Sequence, residues 1–258
     1  MQPGEAYATG ATSASRDFLV ERWMLRCARN DGERRLQLGK PEMITLYHCT
    51  DARSFRPLWA LEEIGLPYRL EMLPFPPRFL KREYLAINPL GTIPLLIDGE
   101  TRMTESAAIC QYLGDRYSAP PLTVGRDEPA YGAYLNALHF GEATLTFPQT
   151  IVLRYGSLEP PERRLPQVAA DYKRWTLARM RAFETLMAGA EYACAERFTL
   201  ADISIGYAQM LASVIGFGEE TPESLRRHFD RLAARPAFLR AKQAQAAQSP
   251  AVETGRSA

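Results

Sequence analysis

The sequence predicts a mixed α/β layer followed by an all-helical half. Three observations carry that reading. Residues 43–117 alternate short β-branched or aromatic runs with stretches of helical spacing. Residues 118–125 (SAPPLTVG) break every periodicity and read as a linker. Beyond Arg126 the apolar residues recur at helical spacing, without a convincing strand.

The first half is legible element by element. Residues 43–48 (MITLYH) form a strand. Residues 54–65 place Phe55, Leu58, Trp59, Leu61 and Ile64 on one helical face, with Gly65 as the stop. Residues 68–73 give a second strand. A proline-rich loop over 74–77 leads into a short basic helical stretch ending at Ala86. Residues 94–97 and 101–103 are strands joined by Asp98-Gly99, a tight-hairpin signature. Residues 105–117 close the layer as a helix, with Ala107, Ala108, Ile109, Tyr112 and Leu113 apolar. The helical crossover makes the first two strands parallel, and the hairpin pair is antiparallel. Strand, helix, strand, helix, hairpin, helix is the thioredoxin-like order. Helices are expected near 127–155 (bent at Pro148), 161–189, 199–217 and 223–246. The resulting division is 43–118, a linker over 119–125, and a helical domain over 126–247, with a frayed tail from Ser249.

Residues 1–42 differ. Gly, Ala, Thr and Ser give way to alternating arginines and acids, with a short amphipathic helix over 18–27. They are expected to be a disordered or loosely attached extension, with Met43 as the true start.

Composition excludes several classes. In 258 residues, hydrophobic side chains make up 46 %, enough for a sizeable core. The net charge of +1, from 31 basic and 30 acidic side chains, gives no reason to expect a nucleic-acid partner. No apolar run reaches bilayer-spanning length, so no membrane association is expected, and the first residues lack the pattern of a secretory signal. Cys27, Cys49, Cys110 and Cys194 are widely spaced and read as free thiols in a reducing compartment, the cytoplasm by default. With His48, His139 and His228 also scattered, no metal site is expected.

The chemistry concentrates over 88–106. Asn88-Pro89-Leu90-Gly91 is a turn signal, and Thr92-Ile93-Pro94 enters the third strand. A cis Ile93–Pro94 bond would leave the N–H and C=O of Ile93 facing outward, an edge able to pair with an extended peptide. Glu105-Ser106 opens a helix, where free N–H groups and the positive dipole end suit a carboxylate. Ser106 can donate to that carboxylate and Glu105 can accept from an ammonium, which matches one end of a zwitterionic amino acid. An ordinary turn and a plain capping segment based on Thr104 are the competing readings.

Taken in order, NPLGTIP, the hairpin and TESAAICQYL resemble the N-terminal domain of cytosolic glutathione transferases, and the resemblance runs from about Met43 to Arg240. It implies a thioredoxin-like domain followed by the helical domain of that family. It also implies glutathione as co-substrate without a metal, a homodimer, and conjugation of the glutathione thiolate to a small, largely apolar electrophile in detoxification. Ile93 would pair with the cysteinyl backbone, and Glu105 and Ser106 would hold the γ-glutamyl end. Arg78 and Lys81 would hold the glycine carboxylate, unless they are merely solvated charges. The stretch 52–68 (ARSFRPLWALEEIGLPY) resembles bacterial and fungal serine-type members with an Arg-Ser-x-Arg pattern.

The sulfur activator is less defined. Such chemistry needs a hydrogen-bond donor that favours the thiolate, set between the first strand and the first helix. That stretch is His48-Cys49-Thr50-Asp51-Ala52-Arg53-Ser54. Alignment from the helix puts Asp51 or Ala52 at the usual serine position. Ser54 aided by Arg53 is the first candidate, although Ser54 would serve equally as the helix cap. Cys49 is the alternative and would suit a glutathione-dependent thiol-disulfide reductase or peroxidase. A non-catalytic glutathione- or ligand-binding protein is the third reading.

In the helical half, Tyr131, Tyr134 and Leu138 are the candidates for the electrophile pocket, with His139 and Glu142 as polar intrusions on the same helix. Thr199 and Asp202 form a capping box, with Phe198 and Ile203 as its hydrophobic staple.

Overall fold

The computed structural model describes residues 43–248. The extension over 1–42, including Cys27, and the tail from 249 lie outside the described residues.

The first strand β1 (Ile44–His48) alternates buried and half-buried side chains, as its sequence does. Helix α1 (Phe55–Ile64) comes next and ends at Gly65, whose φ of 76° is the left-handed cap position. Strand β2 (Tyr68–Met72), the short helices α2 (Pro77–Leu80) and α3 (Tyr84–Ile87), strands β3 (Leu95–Asp98) and β4 (Thr101–Met103), and helix α4 (Ser106–Tyr117) complete the layer. The sheet order is β2-β1-β3-β4. β1 and β2 are parallel, paired Leu46 with Leu70. β3 runs antiparallel to β1 and to β4. This is the mixed thioredoxin-like sheet, and a helical half comes after it.

That half contains α5 (Tyr131–His139), α6 (Phe147–Leu153), α7 (Pro166–Met187), α8 (Leu200–Val214), α9 (Glu223–Ala233) and α10 (Pro236–Gln248). Two expectations change here. The long helix expected over 127–155 is widened rather than bent at Pro148: a π-helical segment, Phe140–Thr146, precedes α6, and a second, Arg154–Leu158, succeeds it. The first is stitched by side chains. The Gly141 carbonyl accepts from the Thr146 hydroxyl at 2.7 Å, and Gln149 Nε2 donates to the Leu145 carbonyl at 3.0 Å. Gly141 is required there, because an added Cβ would stand 2.6 Å from the Ser204 carbonyl carbon on α8. The helix expected over 223–246 is two helices, since Pro236 lacks an N–H and cannot continue α9.

Helix α1 joins the two halves. It packs on α4 and β1 on one side and on α8 and α10 on the other. Trp59 is fully buried with its ring edge-on to Phe238 at 4.9 Å, and Phe55 meets Phe238 at 5.4 Å. Burying a side chain of this size contributes roughly 2–3 kcal/mol. Arg235, between α9 and α10, holds Glu63 of α1 in two bonds at 2.6 and 2.9 Å and lies 3.6 Å over the Phe198 ring.

The start of α8 is closed by a capping box. The Thr199 N–H and hydroxyl both donate to Asp202 Oδ2, at 2.8 and 3.2 Å, and the Thr199 hydroxyl oxygen accepts from Ala201 N–H. Asp202 Oδ1 also accepts from Ala193 N–H at 2.7 Å and faces His228 Nε2 at 3.0 Å; the Asp202, Thr199 and His228 side chains are all buried.

Candidate functional site

A cleft of about 610 Å3 opens between the two halves. One wall is made by three loops: the one after β1, the one after β2, and the one leading into β3. The other is made by α6, the π-turn behind it and the end of α8.

The third loop is held by its own turn chemistry. Asn88 is buried, accepts from Leu90 N–H at 3.2 Å and donates to the Thr92 carbonyl at 2.8 Å. Tyr84 donates to the same carbonyl at 2.9 Å. Gly91 sits at φ 60°, and an added Cβ would stand 2.7 Å from the Cβ of Arg78, so the second and third loops touch here. These contacts set Ile93, which precedes the cis Ile93–Pro94 bond, and Arg78 into the cleft wall. Lys81 is exposed and does not line the cleft.

The first loop presents Thr50, Asp51, Ala52 and Arg53 to the cleft. Asp51 takes a left-handed conformation, φ 54°, that an aspartate tolerates. It is fixed from the helical half: Lys242 Nζ lies 2.6 Å from its carboxylate, Gln245 Nε2 donates to it at 2.7 Å, and the Tyr207 hydroxyl donates to its carbonyl at 3.3 Å.

Ser54 does not join this wall. It is fully buried, its hydroxyl accepting from Cys49 N–H at 3.2 Å and facing the Cys49 carbonyl at 3.5 Å. It closes the loop on itself and makes no side-chain cap to α1. Cys49 is also buried, and burial pushes its thiol up to about 12, which removes the thiolate that exchange chemistry needs. Both positions are therefore corrected from sulfur partners to parts of the core.

The residue that sequence reasoning missed is Arg56. It is fully buried, with its guanidinium 4.2 Å over the Tyr207 ring. It donates to Ser106 Oγ at 3.2 Å, Thr146 Oγ1 at 2.6 Å, the Gly141 carbonyl at 3.1 Å and the Glu142 carboxylate. Glu142 also pairs with Arg53 at 2.8 Å. Burial opposes ionisation of Glu142, but Arg56 and Arg53 overcome it and hold its carboxyl below the ordinary value. A signal existed in the sequence: an arginine amid Phe55, Leu58 and Trp59 on one helix needs a partner. Ser106 is buried in this network, while Glu105, at the start of α4, is exposed.

The pocket residues expected on α5 are corrected as well. Tyr134 and Leu138 are core side chains, and the Tyr134 hydroxyl donates to Gln111 at 2.5 Å. Tyr131 packs half-buried against the same core. None lines the cleft, whose helical wall is Thr150, Leu153, Leu158, Leu211 and Val214 with Tyr207 at its base. His139 is exposed. Among the described residues, no group of three or more His, Cys, Asp or Glu is placed to hold a metal, and no helix is long and apolar enough to cross a membrane.

Residues 52–116 match the family model "Glutathione S-transferase, N-terminal domain". Glutathione S-transferase 2 of Schizosaccharomyces pombe is 28 % identical over 75 % of this chain and 92 % of its own length. Glutathione S-transferase 3 of the same yeast is 32 % identical, but over 40 % of this chain and 43 % of its own. These matches support the glutathione S-transferase family. A glutathione transferase of Phanerochaete chrysosporium, solved with oxidized glutathione, superposes with a TM-score of 0.69 at 26 % identity, covering 80 % of this chain and 97 % of its own. The stretch matching the glutathione S-transferase domain model contains Arg53, Arg56, Arg78, Ile93, Glu105 and Ser106, and it ends before the helical wall begins.

Proposed function

We propose that this chain is a glutathione transferase that joins the glutathione thiolate to a small, largely apolar electrophile. The observation that carries the reading is the cleft itself. Ile93 and Arg78 on the α/β side face Leu153, Leu211 and Val214 on the helical side. In this reading residues 43–118 bind the peptide and residues 126–247 bind its partner. Ile93 pairs with the cysteinyl backbone, Arg78 takes the glycine carboxylate with Lys81 at its periphery, and the start of α4 takes the γ-glutamyl end. There Glu105 accepts from the ammonium. Ser106, whose hydroxyl accepts from Arg56 at 3.2 Å, stands by the carboxylate.

The sulfur then faces residues 50–53. With Ser54 and Cys49 buried, Thr50 becomes the donor, and Arg53 adds positive charge. Both favour the thiolate, and binding beside the apolar wall supplies proximity. Exposed Phe79, Leu80 and Leu90 on the segment between β2 and β3 suit the contact of a homodimer, which light scattering would report.

Calorimetric titration with glutathione, combined with conjugation assays on an aryl chloride, tests the reading. Thr50→Val is expected to lower kcat about 100–1000-fold, by analogy with removal of one charge-stabilising donor. Cys49→Ala is expected to conjugate like the parent chain. A chain that takes up no glutathione, or that loses conjugation only in Cys49→Ala, contradicts it.

A further inference from the structure

Each wall of the cleft carries more arginines than carboxylates, and the excess on the helical wall bears on what the second substrate carries. This inference rests on the transferase reading above. Four arginines line the cleft, Arg53, Arg78, Arg154 and Arg163, against two carboxylates, Asp51 and Glu159. Asp51 is neutralised by Lys242 at 2.6 Å, just outside the walls, while Arg53, at 2.8 Å from Glu142, shares that carboxylate with the buried Arg56. On the peptide side the transferase reading uses both remaining arginines: Arg53 faces the sulfur, and Arg78, which makes no ion pair among the described residues, faces the glycine carboxylate. On the helical side, two arginines share one acid. Arg154 Nε lies 2.7 Å from Glu159 Oε1, and Arg163 Nε lies 3.4 Å from Glu159 Oε2. One positive charge is therefore left over beside Leu153 and Leu158 after glutathione has been accounted for.

The segment that presents this charge is closed by its backbone. Glu159 N–H donates to the Arg154 carbonyl at 2.9 Å, and Leu165 N–H to the Tyr155 carbonyl at 3.2 Å. Arg164 points back into the same loop, donating to the carbonyls of Glu159 and Ser157 at 3.0 and 3.1 Å. Glu162 is exposed on this loop and does not line the cleft. Arg154 and Arg163 thus stand at the mouth, side by side, with apolar surface immediately inside.

We propose that the preferred electrophile is an apolar body bearing an anionic group, a carboxylate in the simplest case, and that Arg163 with Arg154 selects for it. The chemistry is unchanged. The thiol proton leaves to solvent, the thiolate forms a C–S bond at the chlorine-bearing carbon of an aryl chloride, and chloride departs with the electrons of the C–Cl bond. The carboxylate sits away from the reacting carbon, against the arginine pair.

The test compares chlorodinitrobenzene with its carboxylated counterpart, chlorodinitrobenzoate, using the full chain. For each substrate kcat/KM is divided by the uncatalysed rate constant with glutathione, and the quotient for the benzoate is divided by that for the neutral compound. The ratio is expected to exceed one, to fall about fivefold in Arg163→Gln, as for loss of an exposed ion pair, and to fall below one in Arg163→Glu. Added salt should lower it in the parent chain, because exposed charges are screened. Arg163 is exposed on a short turn, so these variants are expected to fold, and Arg154→Gln gives an independent second reading of the same ratio. A parent ratio at or below one overturns the proposal. So does a ratio that neither Arg163→Gln nor Arg154→Gln moves, or an effect confined to the KM for glutathione. Failure to turn over either compound would instead remove the transferase reading, and this inference with it.

Discussion

The two walls of the cleft are built by different means. The α/β wall consists of turns whose residue types dictate their shape. Asn88 ties back to Leu90 and Thr92, Gly91 takes a positive φ where Arg78 crowds it, and Asp51 is locked in a left-handed conformation by Lys242 and Gln245. The helical wall depends on helix phase. Tyr131, Tyr134 and Leu138 lie along one apolar stripe, but the π-helical segment over Phe140–Thr146 inserts a wider turn, and the stripe does not continue beyond it. One extra residue rotates the downstream helix by about 100° at 3.6 residues per turn. So α5 turns its aromatic face into the core, and α6 turns Thr150 and Leu153 into the cleft. A wall made of turns is legible in a single sequence; a wall set by helix phase is not once that phase is broken.

The sharpest break between the regions should come at Arg56, which holds both. Arg56→Ala would leave Glu142 partly stranded and the Gly141 carbonyl with one donor fewer. The expected cost is about 3–5 kcal/mol, the usual penalty for breaking a buried ion pair. Urea denaturation would read it, and a loss under about 1 kcal/mol would mean that the network is not what joins the halves.

Next comes the contrast along the α5–α6 run. Leu138→Ala should cost about 2–5 kcal/mol as a core truncation. Leu153→Ala, at a half-buried position on the cleft, should cost far less and instead raise the KM for an apolar electrophile. Reversal of the two outcomes would restore α5 as the pocket wall.

Asp202→Ala separates folding from the cleft. It removes the cap of α8 together with the acceptor facing His228 and Ala193, so the cost should exceed the about 1 kcal/mol typical of a cap alone. Glutathione affinity in the folded fraction should hold. An unchanged melting temperature would count against the cap.

The smallest effect is a pH dependence. The Glu142 carboxyl is held below its ordinary value in the folded state. Its contribution to stability is therefore present above the unfolded carboxyl pKa, about 4.3, and is lost as pH falls through the lower folded value. Glu142→Gln should flatten the acid side of a plot of urea midpoint against pH, and an unaltered slope below about pH 5 would rule this out.

Much of the fold is legible in the sequence because local rules agree with global ones. The parallel pair β1 and β2, the Asp98-Gly99 hairpin and the Gly65 stop all derive from residue type. Ser54 is ambiguous because a short polar side chain beside a helix start suits a cap, a ligand donor and a loop closure equally; only burial separates them. Arg56 is hidden because its partners, Ser106, Glu142, Thr146 and Ser204, are scattered over 148 positions of sequence separation at the widest. The break between α9 and α10 has a sequence signal in Pro236 itself, which lacks the N–H a helix interior needs.

The central claim is that glutathione occupies the cleft against the loops after β1, after β2 and before β3. The most direct measurement is a backbone amide chemical-shift map of the full chain titrated with glutathione. The account requires shifts that saturate together at Thr50, Arg53, Arg78 and Ile93, with Tyr134 and Leu138 little moved. Saturable shifts centred on α5, or none at the β1–α1 loop, would contradict it.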